Sequence, residues 1–490
     1  MTNSTTNINP AIPQDKFSRL MLCAAALLCV AFAIRTAAAW KCYHHIDPTA
    51  GTWTAAAIDA SDGMLYRPIE SPLGFGGSRY APLHIVLQAG LIRAGIGPVA
   101  AGYLLDLFGI MLVVAGLYAL LRKLQLPPLT AAAFAPFVLA AYCYCTTAGG
   151  VKGDLIPAGL NLWGLAAIIA ITRRRSIPLL IVAALIFVLA TATKLTSVFG
   201  VFTAIVWFLS RKDLRNAAML AAIWLIGIAV AVALTQWASD GRALHIFRVC
   251  AAGGGGLGAL AHGPHRMISD AIHNDRVFVC FWLLAAGLVA FGGNWMSIPS
   301  ILFVITTLGT IAIYGSPGTN CNHLVDLQAA AVLVIATSFA AGRNFARWAT
   351  VAAVAIVLIS AVNSGVKTVS ILHENRHGKM LAALADANQS TVAGPLLAEN
   401  PILPILQGER PYMLDSFMFR VVWRHDPAIT AGFWSDLSNR RFRAVILSGP
   451  PWDPTRDDGN FGPVFIDMLK KNYNLKGVHG DLWVYLPDSP

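Results

Sequence analysis

Long apolar segments, separated by short polar connections, occupy the first three quarters of the 490-residue chain. The segments contain few charged residues, and many approach the roughly 20 residues that a helix needs to cross a bilayer. The predicted fold is therefore an all-α polytopic membrane bundle. We predict eleven membrane-spanning helices: Leu20–Trp40, Pro98–Leu121, Thr130–Thr146, Leu155–Ile171, Pro178–Thr193, Thr196–Leu209, Ala217–Trp237, Val277–Phe291, Ser297–Tyr314, Leu324–Ala341 and Trp348–Val362.

The segment Ala81–Ala94 decides the topology. It is apolar but only 14 residues long, which favours an interfacial or re-entrant helix over a span. If it does not cross, the basic clusters of the short connections all lie on one face, as cytoplasmic connections do. The sequence therefore predicts a cytoplasmic N-terminus and an extracytoplasmic C-terminus. The clusters are Lys16/Arg19, Arg122-Lys123, Arg173-Arg174-Arg175, Arg211-Lys212/Arg215 and Arg343/Arg347.

The pattern divides the chain into three parts. Residues 1–15 are polar without periodicity and are predicted to be disordered. Residues 16–362 form the membrane domain, whose first outer loop, 41–97, contains juxtamembrane helices. Residues 363–490 predict a small extracytoplasmic α/β domain that is long enough to fold alone. We expect its strands at Thr391–Ala398, Arg443–Leu447 and Asp481–Leu486, and its helices at Ile371–Asn388 and Pro463–Asn472.

The composition supports a membrane protein and argues against a nucleic-acid partner. The chain is 56% hydrophobic and 12% charged, whereas soluble domains carry about 25% charged residues. Its net charge is +11, but residues 365–490 hold 13 Lys and Arg against 13 Asp and Glu. The excess positive charge therefore lies in the membrane portion, mostly in short connections, where it acts as a topology signal.

The first outer loop places several charged side chains beside the membrane, next to segments that are poor in charge. Asp47, which is followed by Pro48, is a typical N-cap of a helix. A carboxylate beside the membrane could equally be a general base that deprotonates a hydroxyl, and both interpretations stay open. The charged residues between His44 and Pro82 are Asp47, Asp59, Asp62, Arg67, Glu70 and Arg79. Together they predict a site for a charged ligand.

Two cations are candidates for binding an anionic ligand. Arg79 precedes the interfacial segment, where it could be a headgroup anchor or could hold a phosphate through its bidentate guanidinium. Lys194 interrupts an apolar stretch, and a buried lysine without a partner is very costly. Snorkelling to the interface remains an alternative for Lys194, but an anionic ligand accounts for it better.

Polar residues at the predicted outer ends of two other spans complete the set. Asp154 opens a span and could simply cap it. Asn322, His323 and Asp326 begin another span, with His323 and Asp326 three residues apart on roughly one helix face. Asp326 lies one turn into the apolar segment and therefore needs a partner. On the predicted topology all these residues share the outer face.

Five short motifs give the chain a resemblance to a known superfamily. They are the acidic residue after the first span (Asp47), Gly63–Arg67, Arg79–Leu83, Thr193–Thr196 and Asn322–Leu327. With these motifs in this order, the chain resembles the GT-C superfamily of integral-membrane glycosyltransferases. That superfamily includes protein O-mannosyltransferase-like and aminoarabinose-transferase-like enzymes. The likeness covers roughly residues 15–345. It departs from the pattern at Pro48, because many relatives carry an acidic pair after the first span.

The resemblance implies a function and a set of site residues. The chain would move a sugar from a polyprenyl-phosphate donor to an extracytoplasmic acceptor by a single inverting displacement. Asp47 would be the catalytic base, Asp154 a second acidic residue, and Arg79 and Lys194 would hold the donor phosphate. We expect the substrate pocket to be lined by Arg67, Glu70, Tyr80, Asn322, His323 and Asp326.

Other interpretations remain open. No cofactor is certain, no metal ligands are assigned, and use of a divalent metal ion is undecided. A lipid-linked glycan transporter would also need charges in the membrane, but near its midplane and together with internal repeats, which the sequence lacks. A glycan polymerase or ligase would use the same donor class. A non-catalytic sensor would not need Lys194.

Overall fold

The computed structural model describes residues 14–174, 176–251, 257–316, 318–342, 344–450 and 461–488. Most of the segment 1–15, which the sequence predicts to be disordered, lies outside the described residues, as do Arg175 and Arg343 of two basic clusters. The last two residues of that segment belong to the first helix.

The described part of residues 14–374 is almost entirely helical. In chain order its helices are α1 Gln14–Cys42, α2 Pro48–Ser61, α3 Pro82–Arg93, α4 Pro98–Lys123, α5 Pro128–Phe134, α6 Tyr142–Ala148, α7 Leu155–Arg174, α8 Ile177–Thr193, α9 Phe199–Ser210, α10 Leu214–Ala238, α11 Arg242–Ala251, α12 Leu257–Asn274, α13 Arg276–Gly292, α14 Ile298–Tyr314, α15 Val325–Ala340 and α16 Asn344–Glu374. Two 3₁₀ turns, Ala135–Ala140 and Cys321–Leu324, lie before α6 and α15.

Each predicted span coincides with an apolar helix or helix pair. In the described ranges, five helices are long and apolar enough to cross a membrane, and a bent pair can provide a sixth. Five further apolar helices have 10–17 residues. These helices confirm a multi-pass helical bundle. The total of eleven spans stays a prediction because the shorter helices fall below the length of an upright span.

The third predicted span is broken. Its two parts, Pro128–Ala140 and Tyr142–Ala148, meet at an angle of 76°. It nevertheless runs the length of α1, because Thr130 Oγ1 lies 3.1 Å from Ser18 Oγ and Trp40 Nε1 donates to the Ala148 carbonyl over 2.8 Å. Ser18 and Trp40 are separated by about 33 Å along an α-helix. The bent element therefore reaches from one end of the bundle to the other.

The segment between α2 and α4 does not cross the bundle. Its helix α3 has 12 residues and spans only about 18 Å. It packs against α2 and against parts of α4 and α8. The structure thus agrees with a juxtamembrane helix rather than a span, and the predicted helix α2 begins after its N-cap Asp47 with Pro48 in its first turn.

Residues after α16 form a layer of helices on a four-stranded sheet. The helices are α17 Arg376–Ala387, α18 Ile402–Leu406, α19 Ser416–His425, α20 Ala431–Ser438 and α21 Pro463–Asn472. The first outer loop contributes the hairpin β1 Glu70–Ser71 and β2 Gly74–Phe75, and the sheet contains β3 Leu396–Ala398, β4 Ala444–Ser448, β5 Tyr473–His479 and β6 Leu482–Pro487. The order is β3-β4-β6-β5, with β3 and β4 parallel and the other pairs antiparallel.

The sheet and the first outer loop share one hydrophobic core. Trp53 of α2 and Phe75 of β2 belong to the same buried cluster as Phe419 and Val445. Hydrogen bonds tie the two parts together: Thr52 Oγ1 donates to the Leu414 carbonyl over 2.8 Å, and the Phe75 amide donates to the Tyr412 carbonyl over 2.9 Å. The loop is therefore an integral part of the outer layer.

Candidate active site

The N-terminus of α2 positions the first functional pair. Asp47 Oδ1 accepts the backbone N–H of Ala50 over 2.9 Å, as an N-cap does. Its other oxygen lies 2.8 Å from Lys152 Nζ. The Asp47 side chain is 31% exposed, whereas that of Lys152 is 6% exposed. Asp47 thus caps the helix and also presents a partly exposed carboxylate, and its role as a base stays a prediction.

Lys152 is a site residue that sequence reasoning did not select. It lies in the turn between α6 and α7, two residues before Asp154. Burial lowers the pKa of Lys152, but the neighbouring Asp47 carboxylate outweighs burial and raises that pKa above its ordinary value. Lys152 is therefore a buried cation. A lysine between two apolar segments was the sequence signal that could have revealed it.

A second charged cluster joins three connections at the same end of the bundle. Lys194, the C-cap of α8, forms an ion pair with Asp154 and lies 3.0 Å from His323 Nδ1. Asn322 Nδ2 donates to the second Asp154 oxygen over 2.8 Å. The side chain of Lys194 is 21% exposed. The structure thus brings together four residues from three connections that are far apart in the sequence.

The charge of Asp154 is stabilised by this cluster. Burial by itself raises the pKa of Asp154, but Lys194, His323 and the hydrogen bond from Asn322 outweigh burial and hold the pKa below its ordinary value. Asp154 is therefore a carboxylate at neutral pH. Asp154 forms its ion pair with Lys194, whereas Asp47 forms a separate ion pair with Lys152.

Asp326 lies one helical turn beyond this cluster. Its Oδ1 accepts a hydrogen bond of 3.2 Å from Asn161 Nδ2, which also donates to Ser197 Oγ over 2.9 Å. The contact connects α7, the turn after α8 and the first turn of α15. Asp326 thus has the partner that the sequence required of it.

Arg79 and Tyr80 approach the charged residues from the first outer loop. The Arg79 guanidinium lies 5.5 Å from the centre of the Phe417 ring, and its charge acts on His323 and Tyr80. Tyr80 stacks on Trp53 with ring centres 4.3 Å apart and lies within Coulombic range of Asp47. The aromatic pair therefore lies beside the proposed base.

The turn that carries Lys152 and Asp154 is fixed to α4. Asp106 Oδ2 accepts the backbone N–H of Val151 over 2.9 Å. Val151 has a φ of +47°, which is uncommon for a β-branched residue. A Cβ on Gly102 would lie 2.3 Å from a Val151 methyl group, so only glycine allows this approach. Asp106 and Gly102 therefore hold the turn in a conformation that the chain would not choose alone.

Two residues expected in the substrate pocket lie elsewhere. Arg67 is fully buried, donates to both oxygens of Asp59 over 2.8 and 2.9 Å, and also donates to the carbonyls of Leu73 and Pro411. Glu70 is exposed and accepts the backbone N–H of Gly432 over 2.9 Å. Both residues therefore join the first outer loop to the C-terminal layer. The structure does not bring either of them to the charged clusters.

In the ranges that the structure describes, no three His, Cys, Asp or Glu side chains come together in an arrangement that could hold a metal ion. We therefore derive no chemical step through a metal, and the use of one stays an open prediction.

The fold is similar to those of solved membrane glycosyltransferases of the GT-C superfamily, the class that the sequence motifs resemble. The neighbours that show this are the structures of ArnT from Cupriavidus metallidurans, bound to undecaprenyl phosphate and in the apo state. Each has a TM-score of 0.60 and covers 94% of this chain and 97% of ArnT, at 13% and 14% identity. No protein-family model and no curated protein matches the sequence.

An archaeal enzyme has a related architecture. AglB, the oligosaccharyltransferase from Archaeoglobus fulgidus, was solved with an inhibitory peptide and a dolichol-phosphate. The match has a TM-score of 0.53 and 10% identity, and covers 87% of this chain and 69% of AglB. The chain is thus a multi-pass membrane protein with the fold of enzymes whose structures contain lipid phosphates.

Proposed function

We propose that this protein is a membrane glycosyltransferase that moves a sugar from a polyprenyl-phosphate donor to an acceptor on the outer side of the plasma membrane. One observation carries the proposal. At one end of a GT-C fold, a partly exposed carboxylate, Asp47, lies in the same charged region as a partly exposed lysine, Lys194. Lipid phosphates in the ArnT and AglB structures support this donor class.

The cations would stabilise the leaving group. As the bond between the anomeric carbon and the phosphate oxygen breaks, negative charge develops on the polyprenyl phosphate. Lys194 and Arg79 would be the cations that bind it, and the charges of both act on His323, as does that of Lys152. Asp154 and His323 contact the Lys194 ammonium group and fix its position.

The carboxylate would accept the proton. The acceptor hydroxyl oxygen attacks the anomeric carbon from the face opposite the phosphate, so the sugar configuration inverts. Asp47 takes the hydroxyl proton as the new bond forms. Lys152 and the Ala50 amide each hold one oxygen of Asp47, which fixes the carboxylate orientation. The acceptor is a lipid, glycan or protein of the cell envelope.

Replacement of Asp47 by Asn tests this assignment well. Asn is as good an N-cap as Asp, so the variant keeps α2 and loses the basic carboxylate together with its ion pair to Lys152. We expect Asp47→Asn to reduce release of polyprenyl phosphate by about 10²- to 10⁴-fold, measured by mass spectrometry of extracted lipids. The control is Asp62→Asn, which removes an exposed carboxylate at the other end of α2. Equal turnover in the two variants would exclude Asp47 as the base.

A further inference from the structure

Arg35 is a buried cation that neither charged cluster uses. It lies two turns before the end of α1, and its side chain is 7% exposed. Its guanidinium lies 5.4 Å from the centre of the Tyr142 ring. Arg35 Nε has no hydrogen-bond partner, and no carboxylate is within ion-pair distance, in the part of the chain that the structure describes. An unpaired buried charge of this kind is costly without an anionic partner.

His45 adds a second unsatisfied nitrogen at the same place. It is 8% exposed, and its ring centre is 6.0 Å from that of Tyr142. Its Nε2 is buried without a hydrogen-bond partner among the described residues. Burial lowers the pKa of His45, and the charges of His44, Arg35, Lys152 and Arg376 lower it further. The surroundings of His45 are therefore strongly positive.

Two carboxylates near this group have cationic partners: Asp481 lies 3.1 Å from Arg376, and Asp47 pairs with Lys152, as described above. Glu374 lies 3.1 Å from His44 Nδ1, and Asp275 Oδ2 accepts the backbone N–H of Cys143, next to Tyr142, over 2.7 Å. In the described part of the chain, none of these carboxylates lies within ion-pair distance of Arg35. A ligand with a negative charge would satisfy both Arg35 Nε and His45 Nε2.

We propose that Arg35 and His45 form a second anion-binding site, which takes a phosphate or carboxylate group. Lys152 links this site to the first, because it pairs with Asp47 and its charge also acts on His45. If Asp47 is the base, as proposed above, an anion held at Arg35 would lie near the ion-pair partner of that base. It would then anchor the acceptor. Anion binding itself does not depend on that assignment.

The test uses full-length protein in phosphatidylcholine nanodiscs, with inorganic phosphate as the probe. A Lys194→Ala background weakens phosphate binding at the proposed donor site. We expect phosphate to raise the unfolding temperature saturably, and Arg35→Gln to weaken this binding by about tenfold or more. The matched control is Lys41→Gln, which removes an exposed positive charge from the same helix. Equal phosphate binding in Arg35→Gln and Lys41→Gln would overturn the proposal.

A second pair of variants tests the site if Arg35→Gln does not fold. Arg35→Lys keeps the charge and should retain most of the binding, whereas His45→Leu removes the second donor and should weaken binding severalfold. Unchanged phosphate binding in His45→Leu would contradict the site.

Adding phosphatidylglycerol to the nanodiscs identifies the source of the anion. Competition that depends on Arg35 supports a lipid headgroup, and unchanged phosphate binding supports a group on a soluble acceptor. Both outcomes leave the anion site standing. A transfer assay then separates the two proposals: Arg35-dependent phosphate binding with an unchanged acceptor KM in Arg35→Gln would refute only the acceptor assignment.

Discussion

The two ends of α2 each carry an ion-pair cluster, and the two clusters differ in how completely they are closed. At the C-terminal end, Arg67 and Asp59 are 0% and 1% exposed, and every guanidinium nitrogen of Arg67 donates to an oxygen. Arg410 adds a contact of 3.2 Å to Asp59 and a second ion pair with Asp62. At the N-terminal end, Asp47 remains 31% exposed and Lys152 is its cationic partner.

The difference indicates which charges hold the fold and which can serve a ligand. The Arg67 cluster joins the first outer loop to Pro411 of the C-terminal layer, and four of the five guanidinium N–H groups of Arg67 already donate within the protein. Asp47 and Lys194 keep accessible surface while their buried partners, Lys152 and Asp154, fix their positions. We call these four residues the open cluster, and Arg67, Asp59 and Arg410 the closed cluster. In the sequence both clusters are only acidic and basic residues beside apolar segments. They differ in how many of their donors and acceptors are already bonded within the protein, and only the folded structure reveals this difference.

Arg67→Ala should give the largest effect in this comparison. Removing Arg67 leaves Asp59 almost fully buried with only Arg410 as an ion-pair partner, and breaking such a pair costs about 3–5 kcal/mol of unfolding free energy. Chemical denaturation of the purified protein measures the loss. The control is Arg93→Ala, because Arg93 also donates to α2 carbonyls but from an exposed position. Equal stabilities of the two variants would remove the distinction between closed and open clusters.

Lys194→Ala tests the open cluster and should act mainly on the donor. Loss of one charge-assisted hydrogen bond to a phosphate corresponds to roughly 10- to 150-fold weaker binding. We expect the donor KM to rise accordingly in a transfer assay. Lys194→Arg, which keeps the charge beside Asp154, should recover part of the affinity. An unchanged donor KM in Lys194→Ala would make Lys194 an interface anchor that holds Asp154.

Much of the membrane architecture could be predicted from the sequence, because apolar length and the positions of basic residues follow directly from the bilayer. The same rules excluded α3 as a span. They could not predict the 76° break before Tyr142, since Thr130–Thr146 is apolar throughout. Nor could they predict that α16 continues to Glu374, twelve residues beyond the expected end of the span.

The outer layer was less predictable because its contacts join distant parts of the chain. Strands β4 and β6 lie within a residue of their predicted bounds, but the prediction lacked β5, an edge strand with mostly exposed side chains. The predicted helix Ile371–Asn388 is interrupted at Asn375, which has a φ of +41°. The sequence also predicted that residues 363–490 are long enough to fold alone, and this stays a prediction. In the structure, the hydrophobic core of these residues also contains side chains of α2.

The candidate site shows the same limit. The sequence analysis selected polar and charged residues at the ends of apolar segments, and the structure brings five of them to one end of the bundle: Asp47, Asp154, Lys194, Asn322 and His323. Lys152 escaped notice because its partner is more than one hundred residues away. Arg67 was selected for its charge, although its partners make it part of the closed cluster.

Asp106→Leu tests whether the open cluster depends on the turn that carries Lys152. The variant loses the hydrogen bond to Val151, so the strained turn can relax and shift Lys152 away from Asp47. A small misplacement of this kind should lower kcat by about tenfold. Asp106→Asn keeps an acceptor oxygen and should remain near wild type. If both variants lose activity equally, the charge of Asp106 matters rather than its hydrogen bond.

The smallest effect is expected for the charge of Asp154, which should change how the stability of the protein falls at acid pH. The folded pKa of Asp154 lies below its ordinary value because Lys194 and His323 outweigh burial. Its ionisation therefore stabilises the folded state above the unfolded pKa of about 3.9, and this contribution is lost as the pH falls through the lower folded pKa. The measurement is the unfolding midpoint between pH 6 and roughly pH 3, a range that brackets the unfolded pKa of Asp. The midpoint should fall less steeply with pH in Asp154→Asn than in wild type. Asp62→Asn, which changes a carboxylate that is 55% exposed, should keep nearly the wild-type slope. Identical slopes in the two variants would mean that the ion pair with Lys194 contributes nothing to folding, and that the open cluster is held in place by its hydrogen bonds alone.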